Sequence, residues 1–158
     1  MKKLIMLAAM AVAIASCGGK EEKKEKFEIK RTTAPTQEKK ETVEVPVDMN
    51  NKGVGPITSL KFDSEVDETL AKEGETLYNQ KCTICHMADK KLIGPALKGI
   101  YDRRSPEWVM NMMLDPMKML KEDTIAKALQ KANNNAIMTD QGLSEEQARA
   151  LAEYLRTL

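Results

Sequence analysis

The stretch Cys82-Thr83-Ile84-Cys85-His86 decides how this 158-residue chain is interpreted, because it holds two thiols and an imidazole at a fixed, short spacing. Each cysteine can add across one vinyl group of a haem to form a thioether, and the adjacent histidine then falls beneath the macrocycle as an iron ligand. The motif predicts one covalently attached haem c, held by Cys82 and Cys85, with His86 as the proximal iron ligand.

Two other kinds of site use paired cysteines at this spacing. A thioredoxin-like redox pair normally lies in a βαβ pattern, where a helix N-terminus lowers the thiol pKa, and no such pattern is visible here. A structural zinc site needs four ligands, whereas the chain contains one histidine and three cysteines in all. A zinc site and a free dithiol stay open as the less favoured alternatives.

The N-terminus has the pattern of an export signal. A basic Lys2-Lys3 pair precedes an apolar run over residues 4–14, which is too short to span a bilayer and is typical of a signal-peptide core. The run closes with Ile14-Ala15-Ser16-Cys17, which resembles a bacterial lipobox. We therefore predict a lipoprotein signal peptide over residues 1–16 and lipidation of Cys17, with ordinary secretion as the alternative.

The segment that follows is rich in charge. Residues 18–61 hold ten basic and eight acidic residues, with few large apolar groups before position 43. Such a composition buries too little surface to offset chain entropy. We predict a lipidated N-terminus and flexible linker over residues 17–61, with its more apolar second half extended on the domain surface. The expected location is the bacterial cell envelope, on the periplasmic side or at the cell surface.

The remaining residues, 62–158, form one small domain near the lower size at which a side-chain core suffices alone. A buried haem would supply the missing apolar centre. The pattern contains no convincing strand, and we predict an all-α domain. The expected helices lie near residues 66–81, 105–114, 123–132 and 144–157.

Two local features support the first and last of these helices. The first carries Gly74, and a glycine inside a helix costs about 1 kcal/mol relative to alanine, so a packing reason such as a close helix crossing is expected. The last helix begins with Ser144 as N-cap and Gln147 as its capping-box partner.

These residues, taken in order, resemble a class I c-type cytochrome, and the resemblance covers about 95 residues of the chain. The family pairs a glycine and an aromatic residue on its first helix with a leucine and an aromatic residue on its last. Here those places are taken by Gly74, Tyr78, Leu151 and Tyr154.

The resemblance also assigns a role to the segment Gly94-Pro95-Ala96-Leu97-Lys98-Gly99. In the family, the carbonyl of the proline accepts the proton on Nδ1 of the haem-ligating histidine. This implies that Pro95 fixes the ring of His86 with Nε2 towards the iron, which is the usual kind of support for a metal-bound imidazole.

The sixth iron ligand can be narrowed by elimination. Because His86 is the only histidine, bis-histidine ligation within one chain is excluded, and methionine is the natural candidate. Met87 adjoins the proximal ligand and cannot reach the opposite face. The cluster Met110 to Met119 repeats at helical spacing and is typical of flexible core filling.

Met138 lies instead in a polar loop just before the last helix. The resemblance puts the distal methionine in this place, although Thr139 stands where the family commonly has proline, which leaves the stiffness of the loop open. We predict Met138 as the second axial ligand, with Met117 or Met119 as runner-up.

The haem environment is predicted from the same resemblance. Family members use arginine, tyrosine and tryptophan side chains from this region to contact the haem propionates, which implies such a role for Tyr101, Arg103, Arg104 and Trp108. The alternative is a solvated loop and a core tryptophan.

The predicted function is that of a monohaem c-type cytochrome, a membrane-tethered one-electron carrier between respiratory complexes rather than an enzyme. Expected partners are a quinol-oxidising complex and a terminal oxidase or nitrogen-oxide reductase, with the membrane reached through a lipid anchor. Nucleic-acid binding is not expected, since residues 62–158 hold 13 basic and 16 acidic groups. The alternatives are a haem-based gas sensor or small redox domain with an open sixth position, and a surface lipoprotein whose haem is structural.

Overall fold

The computed structural model describes residues 44–158, and this range contains five α-helices. No strand occurs in these residues, where the sole ladder contact is an isolated bridge between Asp48 and Arg104. The predicted all-α class is confirmed. The helices are α1 (Glu68–Lys81), α2 (Pro106–Leu114), α3 (Pro116–Glu122), α4 (Thr124–Ala132) and α5 (Glu145–Leu155), with one 3₁₀ turn at Ile100–Asp102.

Three predictions concern residues outside this range. The signal peptide over residues 1–16, the lipidation of Cys17 and the first part of the predicted linker lie outside the described residues. Between residues 44 and 158, none of the helices is long and apolar enough to cross a membrane.

The helix ends follow the local sequence signals. The Ser105 hydroxyl accepts a hydrogen bond from the Trp108 amide, and Pro106 occupies the first helical position of α2. At α5, Ser144 and Gln147 form the predicted capping box, in which each side chain bonds the other residue's backbone amide. These short-range bonds explain why the starts of both helices could be predicted closely.

Helix α3 was missed by the sequence analysis, which treated the methionine-rich stretch as one repeat. Asp115 breaks that stretch because it leaves the helical conformation, at φ −141° and ψ 70°, and its carboxylate caps the next helix through the Lys118 amide. Pro116 then opens α3 at its first position. The Asp-Pro pair was the available signal for this break.

The first and last helices of the domain cross at Gly74, which is buried in α1. A methyl group built at this position would lie 2.1 Å from the carbonyl oxygen of Ala150 and 2.8 Å from the Cβ of Tyr154. The rings of Tyr78 and Tyr154 pack beside the crossing with centroids 5.2 Å apart. The close crossing expected from Gly74 is therefore present, and only glycine fits it.

A buried carboxylate strengthens the same junction. Glu153 on α5 is 1% exposed, pairs with Arg149 and Arg156, and accepts the amide of Asp67 at the start of α1 at 2.9 Å. Burial acts to raise the pKa of Glu153, but the hydrogen bonds and the two arginines outweigh it and hold the pKa below its usual value. The ends of α1 and α5 are thus joined by charge as well as by packing.

Residues 44–62, here called the strap, lie against α2 and α3 rather than apart from the domain. The amide group of Asn111, which is 1% exposed, donates to the carbonyls of Lys52 and Ile57 and accepts the Ile57 amide, at 2.9, 2.9 and 3.0 Å. Apolar strap side chains pack on the core, namely Val45, Val54, Ile57, Leu60 and Phe62. The packed part of the chain therefore begins well before residue 62.

The crossing yields a test with a matched control. Gly74→Ala should lower the free energy of unfolding by more than about 2 kcal/mol, since the new methyl group meets backbone that cannot move aside. Gly142→Ala places its methyl in open space at a φ of 61°, so it should cost only about 1–2 kcal/mol of backbone strain. Guanidinium unfolding of both variants measures the difference, and equal losses would contradict a packing role for Gly74.

Candidate functional site

The two cysteines of the motif lie at the end of α1 and in the turn that follows it. Cys82 is the C-cap of α1 and is half-buried, whereas Cys85 is exposed. The amides of Cys85 and His86 both bond the carbonyl of Cys82, at 3.0 and 2.8 Å, which winds the motif into a tight turn. This turn holds the two thiols and the imidazole close together.

The segment after the motif, residues 87–99, closes back on it. The Gly94 amide donates to the Cys85 carbonyl at 2.8 Å, and the Lys98 amide donates to the Ala88 carbonyl at 2.8 Å. We call residues 82–99 the attachment loop. Its internal bonds make it a fixed support for the imidazole.

The His86 ring is held from two sides. Its Nδ1 lies 3.0 Å from the Pro95 carbonyl oxygen, and because a carbonyl can only accept, Nδ1 carries the proton and Nε2 keeps a free lone pair. Gly94 lies against the ring, where a methyl group would come within 2.3 Å of Cε1 and 2.9 Å of Nε2. Gly94 and Pro95 therefore fix both the tautomer and the position of the imidazole.

The thiols and the imidazole face a cleft bounded by the attachment loop and by helices α2, α4 and α5. The cleft has a cavity volume of about 190 Å³ and is partly open to solvent. Apolar side chains dominate its walls, among them Leu97, Ile100, Val109, Leu129 and Leu151. The apolar walls of the cleft and the free Nε2 of His86 suit a haem.

The two alternative uses of the cysteine pair find little support in this geometry. Burial raises the pKa of the Cys82 thiol, and its place at a helix C-terminus disfavours a thiolate further, whereas a reactive dithiol needs a lowered pKa. Across residues 44–158, no group of three or more histidine, cysteine, aspartate or glutamate side chains is arranged to hold a metal ion. A zinc site lacks its ligand set in this part of the chain.

The structure separates the candidate methionines. Met138 lines the cleft, as do Met112 and Met113 of α2. Met119 is fully buried outside the cleft, and its sulfur lies 3.0 Å from the Val54 amide of the strap. Met117 is 55% exposed and faces a separate surface depression. Neither runner-up of the sequence analysis reaches the cleft, whereas Met138 does.

Arg104 is the most unusual charged group in the cleft wall. It is 3% exposed, and its Nε is buried without a hydrogen-bond partner among the described residues. Burial lowers the pKa of Arg104, and the neighbouring Arg103 lowers it further. A buried cation with an unused donor is suited to a bound anion, and a haem propionate is such a group.

The other predicted haem contacts are placed differently. Trp108 lines the cleft, but its indole N–H donates to the Asp123 carboxylate at 3.0 Å, so that hydrogen is already used within the protein. The Tyr101 hydroxyl donates to the Ala152 carbonyl at 2.9 Å, and Tyr101 is not among the cleft-lining residues. The propionate role predicted for Tyr101 therefore gains no support here.

Asp123 is a residue that the sequence analysis did not single out. Its buried carboxylate accepts hydrogen bonds from Trp108, from the Ala126 amide at 2.7 Å and from the strap residue Asn51 at 2.7 Å. Its place before α4 marks it as an N-cap, but its contacts with the strap and Trp108 depend on the tertiary structure.

Comparison with known proteins is consistent with this arrangement. The family model described as Cytochrome c matches residues 71–158. The chain belongs to the cytochrome c family. Members of this family are electron carriers with one haem each, and the cofactor of this cytochrome is accordingly one covalently bound haem c.

Among its relatives, a cytochrome c2 of Rhodopseudomonas palustris is 32% identical over 112 residues, covering 56% of this chain and 97% of that protein. Cytochrome c-551 of Stutzerimonas stutzeri is 28% identical over 108 residues, covering 65% of this chain and 93% of the relative. The solved structure of cytochrome c from Rhodothermus marinus is 44% identical, with a TM-score of 0.63 over 65% of this chain and 88% of that one.

The support of the imidazole by Gly94 can be tested directly. Gly94→Ala should displace the His86 ring, lower the yield of holoprotein and weaken the absorption bands of six-coordinate low-spin haem. Gly99→Ala is the control, because it introduces strain at a φ of 63° while its nearest neighbour is Asp102 rather than the imidazole. Visible spectra of both variants measure this difference. Normal low-spin bands in Gly94→Ala would show that the His86 ring does not need a glycine at position 94.

Proposed function

We propose that this cytochrome transfers single electrons through a six-coordinate haem, with Cys82 and Cys85 forming the thioethers and His86 and Met138 as axial ligands. The observation that carries the proposal is that all four side chains line one cleft, although Met138 lies more than fifty residues beyond the motif. Haem c, when bound, supplies an iron centre that alternates between the ferrous and ferric states.

The protein groups tune that centre in two ways. The Pro95 carbonyl orients His86 and increases the basicity of its Nε2. A neutral thioether from Met138 favours ferrous iron relative to harder ligands, and the apolar walls disfavour the additional positive charge of the ferric state. The thioether and the apolar walls both favour the ferrous state, and we therefore expect a positive reduction potential.

The rim of the cleft offers a surface for redox partners. Ile84, Ile93 and Ile137 are 75%, 50% and 58% exposed; Ile93 and Ile137 line the cleft, and Ile84 lies between the two cysteines. Isolated exposed apolar groups are common, but two of these three line the cleft and the third lies within the attachment motif. We propose that quinol-oxidising complexes and terminal oxidases or nitrogen-oxide reductases dock at this rim.

A membrane tether completes the proposal. The support is the sequence of residues 1–17, in which an apolar run ends in a lipobox-like Cys17. A lipid on Cys17 would restrict the cytochrome to a membrane surface and raise its local concentration near membrane-bound partners.

The distal ligand is tested by the weak long-wavelength ferric band that sulfur ligation produces. Wild type should show this band and Met138→Ala should lose it, since no other thioether is expected to ligate the iron. Met112→Leu and Met113→Leu are the controls and should keep the band, because both side chains serve as packing. Retention of the band in Met138→Ala would refute the assignment, and its absence in wild type would favour an open sixth position.

The tether is tested by mass spectrometry of the mature protein made in a bacterium that lipidates exported proteins. We expect a diacylglyceryl group on an N-terminal Cys17 and recovery in the membrane fraction. Cys17→Ser should lack the lipid and stay soluble while keeping the same visible spectrum. A mature wild-type protein that begins elsewhere, or that carries no lipid, would contradict lipidation.

A further inference from the structure

The loop that carries Met138 has few bonds to the rest of the protein. We call residues 133–143 the distal loop. Its first half is shaped by Asn134 and Asn135, both at a φ of 58°, and by hydrogen bonds to the end of α4. Beyond Ala136, no backbone hydrogen bond joins the loop to another element in the described part of the chain. The segment that presents Met138 therefore depends on side chains for its position.

Met138 and Leu143 pack against the core, and a side chain from outside the loop adds a hydrogen bond. The Nζ of Lys81, the last residue of α1, donates to the carbonyl of Gln141 at 2.9 Å across 60 residues of sequence. Within the described residues, this is the one hydrogen bond between residues 136–143 and a distant element. Lys81 is half-buried, and both Lys81 and Gln141 line the cleft. The bond thus crosses one side of the cleft beside the attachment point at Cys82.

Further hydrogen bonds within the distal loop connect Gln141 to the residue that follows Met138. The side-chain amide of Gln141 donates to the carbonyl and to the hydroxyl of Thr139, at 3.0 and 3.1 Å. Thr139 follows Met138 directly and also lines the cleft. Lys81 holds the backbone of Gln141, and Gln141 holds the residue next to the thioether.

We propose that Lys81 is a positioning residue for the distal ligand, acting through Gln141 and Thr139 to hold Met138 at the cleft. The inference rests on the proposed function, since it takes Met138 as the sixth ligand. It links the two sides of the site physically, because Lys81 immediately precedes the haem-attaching Cys82. A charge-assisted donor is stronger than a neutral one, and partial burial protects the bond from competing water.

An added ligand measures how firmly Met138 is held. Imidazole competes with the thioether for ferric iron, so its affinity rises when the loop is loosened. Lys81→Met keeps the aliphatic stem and removes the donor, and we expect roughly tenfold tighter imidazole binding, as for loss of one charge-assisted hydrogen bond. We also expect a weaker sulfur band in the ferric spectrum.

Two matched variants separate this role from general effects. Lys90→Met removes the same charge from an exposed residue of the attachment loop and should leave imidazole affinity at the wild-type value. Lys81→Arg keeps a charged donor and should restore it. Equal affinity in Lys81→Met and Lys90→Met would overturn the inference, as would equal affinity in Lys81→Met and Lys81→Arg.

The outcomes also distinguish this inference from the proposed function. If wild type lacks the sulfur band, the assignment of Met138 has failed and the role of Lys81 fails with it. If wild type shows the band and Lys81→Met binds imidazole as weakly as wild type, Met138 stands and the positioning role alone is wrong. We also compare the thermal unfolding midpoints of Lys81→Met and wild type. If they are similar, a rise in imidazole affinity comes from a loosened loop rather than from a loss of fold.

Discussion

The site depends on the contact between Gly74 of α1 and the Ala150 carbonyl of α5, a separation that leaves no space for a methyl group. This crossing joins elements that are far apart in sequence. Because the attachment loop follows α1 and the distal loop precedes α5, the crossing brings both loops to the same cleft. The buried Glu153 reinforces it by pairing with two arginines and with the start of α1.

The apolar side chains of this small domain lie around the cleft and beneath the strap. Helices α2, α4 and α5 supply its walls, and the strap covers the outer side of α2 and α3 through the buried amide of Asn111. The strap lies outside the part that the family model matches, yet it shields the core and binds the sulfur of Met119. This thioether fills buried space outside the cleft.

The buried polar groups around the cleft differ in how far their hydrogen bonds are satisfied within the protein. Asp123 takes the indole hydrogen of Trp108, while Arg104 keeps an unused donor. Because a buried donor without a partner is costly, the Nε of Arg104 is the group best prepared for an anionic substituent of the cofactor. On the distal side, the side chains of Lys81 and Gln141 hydrogen-bond to the loop that bears Met138, and Leu143 of that loop packs against the core.

The sequence alone determined the features that rest on short-range chemistry. The spacing of Cys82, Cys85 and His86 indicated the cofactor, and the capping residue Ser144 located the start of the last helix. The packing of the helices sets which distant groups meet. It places Met138 at the cleft and Met119 against the strap. It also forms the hydrogen bonds from Tyr101 to Ala152 and from Lys81 to Gln141. The reason is physical: caps and haem attachment depend on neighbours within a few residues, whereas burial and cross-loop hydrogen bonds depend on how the helices cross.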